Sequence, residues 1–135
     1  MIEEFLRRCD TIEEAYEFML AYAAQGLPAD ASQPSGQIRE FLTRAAAALT
    51  GLGDLLAAVV EQQRLEPAER YRAFLAVVDR DARDSLAAVE LVLAQPSISS
   101  QLVDNLNASI HLRALLTDLF LIDDILKSQP ATTRT

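Results

Sequence analysis

The single histidine of the chain, His111, sits in "ASIHLRALLTDLFLIDDIL", residues 108–126, at the head of its densest run of large aliphatic residues. An imidazole on a helix can accept a phosphoryl group, relay a proton or ligate a metal. Each task needs neighbours. At helical spacing these are Asn107, Ala108, Ala114 and Leu115. Asp104 and Asp118 share its face, but seven residues along a helix is about 10 Å, beyond direct hydrogen bonding. The plainer expectation is a histidine at the rim of an apolar face, hydrogen-bonded by Asn107 or water.

A phospho-accepting His111 would resemble the helical-bundle phosphotransfer domains, which place a basic and a small residue just after their histidine. Ala114 and Leu115 occupy those turns here, and Arg113 is the one nearby base. Phosphotransfer therefore stands as the alternative reading. Metal chemistry has less to work with. Di-iron bundles use a Glu-x-x-His pair on each of two helices, and one histidine cannot serve twice. Zinc needs four ligands, usually Cys or His, and the chain offers one of each in distant segments. "DDILK" at 123–127 resembles the aspartate-rich motif of prenyl-chain synthases but lacks its third acid. "EEAYE", with Glu13, Glu14 and Glu17, resembles the first magnesium motif of all-α nucleotide pyrophosphohydrolases. The second acidic pair that this chemistry requires, Asp81 with Asp84, lies far downstream, and the glutamates fall opposite their helix's apolar stripe. No nucleophile turn and no glycine-rich phosphate loop is present. No metal, no cofactor and no catalytic constellation is expected.

Composition narrows the class. Twelve Lys and Arg against 20 Asp and Glu leave a net charge of −8. That surface repels nucleic-acid phosphates and anionic lipid, and no basic cluster offers a local exception. Cys9 is the only cysteine, which precludes an intramolecular disulfide. "MIEEFLRRCD" carries acids where a signal peptide needs bases, and apolar runs such as "LLAAVV" fall far below the roughly 20 residues a membrane span takes. The expectation is a soluble, cytoplasmic, acidic protein.

These residues must be carried by helices, because apolar positions recur at helical spacing and no alternating strand pattern appears. Ile2, Phe5, Leu6 and Cys9 form one stripe and Ile12, Ala15, Tyr16, Met19, Tyr22 and Ala23 the next. Asp10 to Glu13 offers a capping box between them, yet the stripes join in phase, so residues 2–25 read as one helix or two. "GLPADASQPSG", 26–36, reads as a surface loop. A long helix follows from Gly36 to Leu65, with Ser35 as its cap. Its small-residue middle, "AAAALTGLG", implies either close backbone approach at Ala45, Gly51 or Gly53 or a local bend. Gly51 falls opposite the stripe, so Gly51→Ala is expected to stabilise slightly. Pro67 opens a helix running to about Ala94 with Tyr71, Phe74, Leu75, Val78, Ala82, Leu86, Val89, Val92 and Leu93 inward. On its outer face Asp79 can pair with Arg83, and Arg80 with Asp84. Serines at 97, 99 and 100 start the last helix, which ends near Lys127, and 129–135 reads as a disordered tail. The fold class is all-α: one domain, 1–128, an up-and-down antiparallel bundle of three long helices plus the N-terminal helix or helices.

The last helix changes face midway. Ile98, Leu102, Val103, Leu106 and Ile110 share one side; from Leu112 the apolar residues move to the other. Either the helix breaks near Asn107-Ala108-Ser109, or its second half faces a second surface. The second option makes Leu112, Leu115, Leu116, Leu119, Ile122 and Leu126 a self-complementary interface and the protein a homodimer. The sequence thus points to a non-catalytic accessory or regulatory module that works by protein–protein contact.

Overall fold

The computed structural model describes residues 1–28 and 36–129. Among them are six helices and no strand: α1 (Ile2–Ala24), α2 (Gly36–Leu49), α3 (Leu52–Gln62), α4 (Ala68–Leu93), α5 (Ser100–Ala108) and α6 (His111–Lys127). Most of the 26–36 connection, its Ser35 cap and the tail after Gln129 lie outside the described residues.

The expected bundle is present, with two of its long helices each broken in two. α1 runs without interruption through Thr11, whose hydroxyl donates back to the Arg7 carbonyl at 3.1 Å rather than capping a new helix. End-to-end contacts show the alternating directions. Arg8, near the start of α1, donates to the Thr50 carbonyl at the end of α2, at 2.7 Å. Arg39, early in α2, donates to the Leu93 carbonyl at 3.0 Å and to the Gln95 carbonyl at the end of α4. Both guanidiniums thereby satisfy carbonyls that a helix C-terminus leaves orphaned. A third tie joins the end of α1 to the start of α5. Tyr22 donates its hydroxyl to the Ile98 carbonyl, and Ser100 Oγ donates to the Tyr22 carbonyl while accepting from the Leu27 amide. Phe18 of α1 stacks on Phe41 of α2 at 4.2 Å between centroids.

Two breaks shape the bundle. The expected Gly36–Leu65 helix splits at Thr50-Gly51, and α2 and α3 meet at 45°. Gly51 has φ +71°, in the left-handed region. The expected gain from Gly51→Ala is therefore reversed: a Cβ there is strained, and the substitution should cost about 1 kcal/mol in urea unfolding. Gly53 is the close approach, a buried residue with Asp79 of α4 against it. α3 then ends with the Leu65 amide bonded to the Val60 carbonyl and Arg64 at φ +52°, a Schellman-type stop without glycine.

The second break falls between α5 and α6. α5 starts on Ser99, whose Oγ accepts from the Leu102 amide at 3.0 Å. It ends where Ser109 Oγ donates to the Leu106 carbonyl and Ile110 takes φ +63°, a costly conformation for a β-branched residue. The chain turns there, and the apolar face turns with it. Leu112, Leu115, Leu116, Leu119, Ile122 and Leu126 are all buried in the chain's own core, together with Phe5, Ile12, Leu56 and Val78. These are the residues the sequence offered as a dimer interface; within the single chain they lie in its own core. The second surface that α6 needed is supplied chiefly by α4 and also by α1. No single helix among the described residues is long and apolar enough to cross a membrane.

Candidate functional site

His111 is the first residue of α6, half-buried, just past the strained Ile110. Asn107 does not hold it: both Asn107 side-chain polar atoms are buried without a partner. Of the acids on its face, Asp104 is exposed and Asp118 turns to α4. The magnesium-type motif does not assemble either. Glu14 and Glu17 are exposed, Glu13 lies half-buried in a groove with Cys9 and Lys127, and Asp81 and Asp84 diverge. Among the described residues no group of three or more His, Cys, Asp or Glu side chains could hold a metal. Cys9 is no nucleophile: burial, then the charges of Asp123, Asp10 and Glu13, push its thiol up to about 12. Of the expected outer-face pairs, Asp79 accepts from Arg83 at 2.9 Å.

The structure instead draws attention to the seam between α4 and α6. These helices run antiparallel: Phe74 shares a groove with Ile125, and two turns on, Asp81 acts on Asp118. At one end the seam opens into an apolar groove of about 360 Å³ lined by Pro67, Arg70, Tyr71, Phe74, Leu121, Ile122 and Ile125. Leu121 is 52% exposed and Val77, one turn along α4 from Phe74, is 38% exposed. Hydrophobic periodicity assigned Tyr71 and Phe74 to the core; they are half-buried and line the groove. Arg70 is the only charged side chain on the groove wall.

Further along, the seam is polar. Asp81 of α4 is the charged group that acts most on the Asp118 carboxyl of α6. Asp118 Oδ2 is shut off from solvent without a hydrogen-bond partner. Burial first, then the neighbouring Asp81 carboxyl, push the Asp118 carboxyl up to about 7. Ser85, one turn beyond Asp81, is fully buried and its hydroxyl is unpartnered. Sequence reading considered Asp81 only with Asp84, and Asp118 only with His111. Pairing between distant helices depends on register, and no spacing within one helix signals it.

No family model, no curated protein and no solved structure matches the chain.

Proposed function

We propose that the protein is a non-catalytic accessory module that docks an amphipathic, basic helix of a partner protein in the groove between α4 and α6. The observation that supports this is the groove itself, walled by apolar side chains of α4 and α6 and open to solvent, with the half-exposed Leu121 in its lining. Apolar surface of this shape, set between two helices, suits a third helix presenting residues at i, i+3, i+4 and i+7. A net charge of −8 favours a basic partner over an acidic one and speeds its encounter. It disfavours a second copy of the same chain.

The test uses NMR titration of the full chain with a basic amphipathic helical peptide and with its acidic counterpart. The basic peptide should shift Tyr71, Phe74 and Leu121 signals, and the acidic one should not. Leu121→Glu should leave stability within about 0.5 kcal/mol, as for other half-exposed sites, and weaken peptide binding by about 2 kcal/mol, roughly thirtyfold. Equal response to both peptides, or none at the groove, contradicts the proposal. Groove signals that shift with protein concentration alone would replace the partner helix with a second copy.

A further inference from the structure

The α4–α6 groove carries no counter-charge for a basic helix: Arg70, the only charged side chain on its wall, repels one. Counter-charges lie on the other flank of α6, in a second groove of about 210 Å³ between α1 and α6. Leu6 and Leu119 line it, with the carboxylates of Asp10, Glu13 and Asp123 and a single ammonium, that of Lys127. Lys127 pairs with Asp123 at 2.9 Å, and among the described residues Asp10 and Glu13 have no ion-pair partner.

One ridge separates the two grooves. Leu121 lines the first and its neighbour Phe120, 54% exposed, lines the second. Arg113, Thr117 and Asp124 share this outward face of α6 at spacings of three and four, and all are exposed. The ridge is the outside of a single helix, whose full diameter is only about 10–12 Å with its side chains.

We infer that the helix docked in the α4–α6 groove also overlaps this ridge, so that its Lys and Arg side chains cross Phe120 and pair with Asp10, Glu13 and Asp123 in the α1–α6 groove. This placement rests on the docking proposed above, and it names the residues that select a basic partner over an acidic one. Lys and Arg lay an apolar stem along apolar surface and keep the charged head in water. A half-exposed ring beside three carboxylates suits both parts of such a side chain. A guanidinium passing over that ring gains a cation–π contribution as well. A metal ion suits the groove less: Lys127 already neutralises Asp123, and among the described residues no three acids are placed to hold one. A second copy of the chain would bring the same acids to both sides of a two-fold contact.

The experiment uses two helical peptides with one and the same apolar face, the first with lysine on its polar face and the second with glutamine. Each is titrated into the full chain and into its Asp10→Asn/Glu13→Gln variant, which keeps side-chain shape and removes two charges. Wild type should bind the lysine peptide more tightly than the glutamine peptide, and the difference should shrink as salt is raised. The variant should bind the lysine peptide about fivefold more weakly, as for the loss of two exposed ion pairs, and the glutamine peptide unchanged. In wild type, NMR signals of Phe120 and Glu13 should shift with the lysine peptide together with those of Phe74 and Leu121. Groove signals that shift with both peptides while Phe120 and Glu13 stay silent would overturn the ridge crossing and leave the groove reading intact. So would a variant with undiminished affinity for the lysine peptide. Silence of Phe74 and Leu121 with both peptides sinks the groove reading, and the crossing with it. The wild-type NMR arm needs no variant and decides the matter even if the double substitution fails to fold.

Discussion

Leu115→Glu should abolish the folded protein and release no folded subunit. Leu115 is completely buried in the core cluster, in the middle of α6. Truncation there to alanine removes apolar contacts and leaves a cavity, at about 2–5 kcal/mol. Glutamate adds an unpaired carboxylate in the same apolar place, which costs several kcal/mol more or forces the group to stay protonated. Domains of this size have a total stability of about 5–15 kcal/mol, so the two effects together consume most or all of it. Circular dichroism should show lost helix and light scattering should show an expanded or aggregated chain. A well-folded Leu115→Glu protein at half the wild-type mass would contradict the burial described here and restore the interface reading.

The second large effect is expected at Gly53. A Cβ built there would lie 2.7 Å from Asp79 Cβ and 2.9 Å from Asp79 Cα. The obstacle is backbone, not a flexible side-chain end, so α3 must move away from α4 to make room. Overpacking of this kind costs about 1–3 kcal/mol for alanine, even though alanine propagates a helix better than glycine by about 1 kcal/mol. Gly53→Leu should cost more and loosen the α3–α4 contact enough to raise amide exchange in both helices. Chemical denaturation gives the ranking, with wild type above Ala and Ala above Leu. Gly53→Ala at or above wild-type stability would mean that the helices are further apart than described.

The two glycines separate what periodicity can and cannot show. Both stand in "TGLG", and both lower helix propensity equally. One supplies a left-handed turn and tolerates space around it; the other lies helical against a neighbouring helix. Only the second helix, 26 residues downstream in sequence, distinguishes them. The last helix teaches the same lesson. The wheel showed that the apolar face turns over and offered a break near Asn107-Ala108-Ser109 or a second surface. Ile110 carries no helix-breaking signature, yet it adopts the left-handed conformation that makes the break. Packing of Leu112 through Leu126 in the core offsets that local strain.

By itself the sequence determined the helical class, the apolar stripe of α1 and a start for α5 among the serines at 97, 99 and 100. These follow from contacts and propensities within a few residues of one another. Tertiary structure alone decided that the second face of α6 belongs to the chain's own core, that Tyr71 and Phe74 line an open groove, and that Asp81 acts on Asp118. Each of those depends on the register between α4 and α6, helices whose order along the chain says nothing about which turn faces which.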